Sequence, residues 1–221
     1  MSHATAIALA AGLCVAVAPL AGQSALRLSA AGEVAAVRAR SLTAAGRERL
    51  DGFLVVGEGT LGRGRGLLRL RYGQGRVTSD SAGAGGGGGG VQPRSLTDGE
   101  LLLGVAALPW LDLWAGPHAR SYRTDFGNQR WLFWEVRASA RATLVPGQLQ
   151  SFFEGRVAVA GRVNVPEPFG SSRGAEGGVE VRITRPALRL RFTYRIDQAR
   201  LAAGRRETVE AVAFSVGRDL R

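Results

Sequence analysis

The sequence predicts an all-β protein: a closed antiparallel up-and-down transmembrane β-barrel of about ten strands. Three observations point there. Apolar and polar residues alternate with period two along most of the 221 residues. The links between the alternating runs are short and long by turns. The chain opens on an apolar stretch of the kind that addresses a protein for export.

Composition narrows the class. The chain is 45% hydrophobic and 21% charged, too apolar for a disordered chain. Its formal net charge is +11, and all 29 basic residues are Arg. They are spread along the chain and alternate with apolar residues, so they form no basic block and no nucleic-acid partner is expected. Cys14 is the one cysteine, and only His3 and His118 could offer imidazole, too few for a zinc centre. No cofactor or metal is expected.

Ala4 to Ala21 is nearly free of polar residues and ends in Pro19 and the small residues Ala21 and Gly22. It reads as a cleaved signal peptide over 1–24, leaving a barrel domain over 25–221. Gln23 stands where a lipoprotein box would need Cys. After residue 25 no run reaches the roughly 18 apolar residues of a membrane helix.

The strands follow in order. The expected first strand, 28–41, is weakly patterned, and 50–61 follows a polar link, Thr43–Arg49. In 66–78, Leu68, Leu70 and Tyr72 alternate with Arg69 and Arg71. In 95–108, Leu101, Leu103 and Val105 alternate with Glu100, Leu102 and Gly104. In 111–124, Asp112, Trp114, His118, Arg120 and Tyr122 share a face. In 129–145, Leu132, Trp134 and Val136 alternate with Phe133, Glu135, Arg137 and Arg141. In 149–164, Phe153, Gly155, Val157 and Val159 alternate with Glu154, Arg156 and Ala158. In 174–185, Val179, Val181 and Ile183 alternate with Glu180 and Arg182. In 187–200, Leu188, Leu190, Phe192, Tyr194 and Ile196 alternate with Arg189, Arg191, Thr193, Arg195 and Asp197. In 206–217, Glu210 conflicts in phase with Val212, Phe214 and Val216, as a bulge or a strand end would allow.

Tight links are Gly62–Arg65, Leu108–Trp110, Val145–Gln148 and Thr184–Ala187; the longer or more polar ones are Thr43–Arg49, Ser79–Arg94, Asp125–Gln129, Val165–Arg173 and Leu201–Arg205. With a periplasmic N-terminus, every tight turn falls on the periplasmic side, as in membrane barrels. Residues 83–90 are a low-complexity, Gly-rich loop tip.

In a membrane barrel the charged face lines the interior. The expected lumen network is Glu58, Arg69, Arg71, Glu100, Glu135, Arg137, Arg141, Glu154, Arg156, Glu180, Arg182, Arg189, Arg191, Arg195 and Asp197. The expected lipid face is Leu68, Leu70, Tyr72, Leu101, Leu103, Leu132, Trp134, Val157, Val179, Val181, Leu188, Leu190, Phe192 and Tyr194. Ala138, Ala140 and Ala142 would fill a water-soluble core poorly, whereas lipid demands no fit. Trp110, Trp114, Tyr122, Phe126, Trp131 and Trp134 lie near strand ends, where an aromatic girdle belongs.

On this pattern, residues 26–221 resemble the small bacterial outer-membrane β-barrel proteins, from OmpA- and OmpX-like barrels to the ten-stranded omptin proteases. The resemblance implies a place in the outer membrane of a Gram-negative cell. It also implies contact with outer-membrane lipid and lipopolysaccharide, and assembly by periplasmic chaperones and the barrel-assembly machinery. The chain departs from the pattern at its last strand, where Gly217-Arg218-Asp219-Leu220-Arg221 follows Val216 in place of a terminal aromatic.

No catalytic set emerges. Asp112 is six residues from His118, about 20 Å along a strand, and Ser121 faces away. The loop Asn164–Arg173, stiffened by two prolines, reads as a cap over the barrel mouth, with a recognition or adhesion loop as the alternative. Gly57-Glu58-Gly59 and Gly62–Gly66 lack the strand–helix setting of a phosphate loop. The expected role is structural or interactive, or a narrow pore, without enzymatic activity. The alternatives are a secreted lipocalin-like barrel holding an apolar ligand inside, and a barrel hydrolase.

Overall fold

The computed structural model describes residues 25–43, 46–79, 94–124, 127–202 and 204–220. The predicted signal peptide, the Gly-rich tip at 83–90 and Phe126 lie outside them. Ten strands run in chain order: β1 (Arg27–Thr43), β2 (Gly46–Arg63), β3 (Gly66–Ser79), β4 (Arg94–Leu108), β5 (Leu111–Thr124), β6 (Gly127–Val145), β7 (Leu149–Val163), β8 (Phe169–Ile183), β9 (Leu188–Leu201) and β10 (Arg206–Leu220). Each pairs antiparallel with its neighbours, and β1 pairs with β10, so the sheet closes. The predicted architecture and strand count are those of the structure.

Closure has a definite stagger. Partners of Ala35 followed through β2–β5 lead to Gln129 on β6. Followed through β10–β7, they lead to Arg141 on the same strand, twelve residues further on. For ten strands that shear corresponds to a tilt of about 40° and a backbone radius of roughly 10 Å. A tube this narrow has room for side chains and little else.

The tight turns lie at one end. Gly64 (φ 60°) and Gly147 (φ 73°) adopt the left-handed backbone that a side chain disfavours, which is why glycine stands in two of these turns. The strands have 14 to 19 residues. A tilted membrane crossing needs about 9–11, so these strands are longer than such a crossing requires.

Two expectations need correction. The predicted cap Asn164–Arg173 is a loop only in its first half: β8 begins at Phe169, with a register shift between Phe169 and Ser171 that turns the Phe169 ring inward. Its small polar residues 170–174 carry no apolar alternation, so period gave no signal there. The phase conflict at Glu210 involves no bulge. Register is continuous through Glu210, which points outward and meets Arg40 at 3.4 Å.

The outer wall carries Val34, Val55, Leu70, Tyr72, Leu103, Trp134, Phe153, Phe192 and Phe214, all exposed. Trp110 and Trp134 are on the outside, as a girdle requires. Trp114, Tyr122 and Trp131 are not; strand phase turns them inward, where they are buried.

Candidate functional site

The barrel interior is the most built part of the molecule. Inward positions repeat every second residue, so each strand delivers a column of side chains to it.

At mid-height the columns are charged. The Arg137 guanidinium meets Glu100 at 2.6 Å, Glu135 at 2.8 Å and Glu154 at 3.2 Å, and its side chain is 1% exposed. Asp98 receives Arg120 at 2.8 Å and the His118 Nε2 at 3.1 Å. Nδ1 of the same ring lies 3.0 Å from Glu135. With a carboxylate at each ring nitrogen, the geometry asks both nitrogens to donate. Asp197 bridges Arg120 (2.9 Å) and Arg156 (2.5 Å). Arg71 joins Glu33 and Asp98. These contacts tie together strands remote in sequence, β5 to β9 and β1 to β3.

Toward the turn end the network thins out. Arg69 reaches Glu154 at 3.0 Å and lies over the Trp114 ring, 4.3 Å from its centroid. Arg191 pairs with Glu176 at 3.1 Å and covers Phe152 at 3.7 Å. Arg141–Asp112, Arg182–Glu180 and Arg189–Asp219 rim the mouth.

Toward the loops the interior turns apolar. Leu50, Leu54, Val77, Leu96, Trp131, Phe133, Leu201 and Val209 form one buried cluster, with Phe169 packed on it. Trp131 stacks near Phe133 (5.8 Å), and Phe133 meets Phe169 edge-on (5.8 Å). Above them Glu207 accepts hydrogen bonds from Tyr122 (2.7 Å), Ser41 (2.7 Å) and Arg205 (2.9 Å). Between the charged and apolar layers lies a small space of about 20 Å3 bordered by His118, Tyr122 and Phe133, enough for about one water.

The expected lumen residues all fall on inward positions. Arg69, Arg71, Glu100, Glu135, Arg137, Glu154, Arg156 and Asp197 join the central network, and Arg195 is buried at the same level. Glu58 faces inward opposite Arg71 in register. Glu180, Arg182, Arg189, Arg191 and Arg141 lie nearer the turn-end mouth. The expected lipid-face residues lie on outward positions, with Leu68, Leu188 and Leu190 only half exposed.

Sequence reasoning missed Glu33, Asp98 and Glu176. Asp98 was within reach of the pattern, two residues before Glu100 on one phase. Glu33 was not, because apolar residues fill both faces of β1. It also missed the apolar layer, whose residues break the charged-inside rule. His118 is hydrogen-bonded at both ring nitrogens and links Asp98 to Glu135. Among the described residues no three His, Cys, Asp or Glu side chains converge as metal ligands would.

No protein-family model matches the chain, and no curated protein sequence matches it. Its fold does have likenesses among solved structures. The translocator domain of the autotransporter NalP from Neisseria meningitidis superposes with a TM-score of 0.54 at 12% identity, covering 97% of this chain and 96% of that one. The β domain of the Bordetella autotransporter BrkA gives 0.52 at 13% identity, covering 88% and 100%. The outer-membrane protease OmpT from Escherichia coli gives 0.48 at 8% identity, covering 93% and 99%. By sheet closure, apolar outer wall and charged interior, the chain has the fold of the bacterial outer-membrane β-barrels.

Proposed function

We propose that the chain is an integral outer-membrane β-barrel with a shut interior, serving a structural or interaction role and neither conducting solutes nor catalysing a reaction. The observation that carries this reading is the stack of two fillings across the tube. The Arg137-centred network occupies the middle, and the Leu54–Phe133 cluster lies over it. The outward rows of leucine, valine and aromatic side chains support a hydrocarbon surround. The alternative of an apolar ligand inside requires Leu188, Leu190 and Phe192 to point inward, and they occupy outward positions. A translocator needs a passage for a chain, and this interior offers none. Against catalysis stands the setting of His118, 2% exposed and engaged at both nitrogens. Export through a signal peptide, escort by periplasmic chaperones and insertion by the barrel-assembly machinery complete the reading.

The test is reconstitution of the folded barrel in planar bilayers, with fractionation of the native protein. Recovery in the outer membrane with no steady conductance is the expected result. Large stable channels would overturn the shut interior, and release as a soluble protein without detergent would overturn the membrane placement.

A further inference from the structure

The arginines of the central network are matched to carboxylates, but Arg195, at the same level, is not. It is 5% exposed and forms no ion pair or hydrogen bond among the described residues. Asp98 and Asp197 lie within electrostatic reach of it. Both are already engaged, Asp98 by Arg120 and His118, and Asp197 by Arg120 and Arg156. Glu176, opposite Arg195 in register on β8, is held by Arg191 at 3.1 Å. On the other side β10 sets Ala211 opposite Arg195 and Ala213 opposite Thr193, and neither offers an acceptor. Two further cations, Arg71 and Arg156, stand within the same reach. A guanidinium taken out of water without a counter-charge of its own is strongly unfavourable.

Unmet donors continue along the same strand. From Arg195 toward the turn end, the inward residues of β9 are Thr193, Arg191 and Arg189. Thr193 is 3% exposed, and its hydroxyl has no hydrogen-bond partner among the described residues; the Nε atoms of Arg191 and Arg189 have none either. This column faces the wetter half of the tube. Toward the loops the apolar cluster closes the interior. Toward the turns, side-chain exposure climbs from 2% at Arg156 to 28% at Arg191 and 41% at Arg182. A solute entering at the turn end therefore meets two guanidinium groups, a hydroxyl and a third guanidinium in succession on one wall.

We propose that Arg195 and Thr193 form a binding site for one small monovalent anion, a halide such as chloride, which enters past Arg189 and Arg191. One unmatched cation calls for one negative charge. Water could satisfy the hydrogen bonds but would leave that charge uncompensated. Thr193 and Arg195 are successive inward residues, about 7 Å apart along the strand. An ion between them accepts the hydroxyl proton from one side and guanidinium N–H groups from the other. A halide imposes no directional geometry of its own, and a narrow tube filled by long side chains has little room for a larger anion. The site needs only the closed tube, so it goes beyond the shut-barrel reading and fails separately from it.

The test uses the full barrel folded in detergent. Its unfolding midpoint in urea is followed at constant sodium and ionic strength in chloride, bromide or gluconate, the last too bulky for the site. The wild-type midpoint should rise with chloride or bromide along a saturating curve and stay level in gluconate. Arg195→Met should abolish that dependence and unfold in gluconate no more readily than the wild type, because it deletes a charge without a partner in the protein. Thr193→Val removes the hydroxyl at nearly constant shape and should weaken halide affinity about tenfold. Arg63→Gln, on an exposed turn, is the control and should respond to halide as the wild type does. Crystals grown in bromide should show an anomalous peak between Arg195 and Thr193. A wild-type midpoint indifferent to halide, an equal rise in gluconate, or undiminished halide dependence in Arg195→Met overturns the proposal, as does bromide confined to the outer arginines. If Arg195→Met does not fold, the Thr193→Val titration and the bromide peak decide. Absent halide binding with silent bilayer recordings removes this site and leaves the shut interior standing.

Discussion

The middle of the barrel interior and its loop end are filled by opposite chemistry. In the middle, Arg137, Arg120 and Arg156 are each shared among carboxylates brought in by two other strands. At the loop end, Leu54, Val77, Trp131 and Phe133 pack as they would in a soluble domain. The difference concerns tolerance. An apolar layer loses contacts in proportion to what is removed. A buried ionic layer adds little net stability as a whole, yet it reacts sharply when one partner goes and an unpaired charge stays behind. The charged layer specifies which columns face one another; the apolar layer seals the tube.

The largest effect expected from breaking this arrangement is on conduction. Replacing Arg137, Glu100 and Glu135 together by Ala takes out the centre of the charged network while the loop-end layer stays shut, so bilayer recordings should remain silent. Adding Trp131→Ala and Phe133→Ala removes the second barrier, and discrete channels should follow. Channels from the triple variant alone would show that the apolar layer seals nothing.

Single truncations should separate the layers energetically. Arg137→Met leaves Glu100, Glu135 and Glu154 without their shared partner and should destabilise the barrel by about 3–5 kcal/mol. Leu54→Ala should cost about 2–4 kcal/mol through the cavity it opens. Urea unfolding of both variants in lipid vesicles gives the ranking, and a milder loss for Arg137→Met than for Leu54→Ala would reverse the comparison. The smallest change is expected outside both layers. Asp51→Asn removes the partner of Arg38 and Arg49 on the exposed wall and should shift stability by less than about 1 kcal/mol.

Much of this molecule follows from local pattern. Leu188 to Asp197 alternates so regularly that its strand, its two faces and their opposite chemistry can be written from the sequence, and nine of ten strands were placed within a few residues. The reason is elementary: a strand sends successive side chains to opposite faces, so period two records which residues share a side. The tight turns were equally legible, because glycine and proline mark them for conformational reasons. The start of β8 was not, since Gly170 to Gly174 offers nothing for a period to sort.

What the sequence could not determine is which column faces which. That depends on closure and on the twelve-residue stagger, properties of the whole sheet that no segment carries. Only the closed tube brings Asp98 and Glu135 to the two sides of His118, and only there does Glu33 reach Arg71. Strand phase alone put Trp114 and Trp131 on the charged face, although their nearness to strand ends suggested a girdle. Alternation sorts side chains onto two faces; distances across the axis exist only once all ten strands have met.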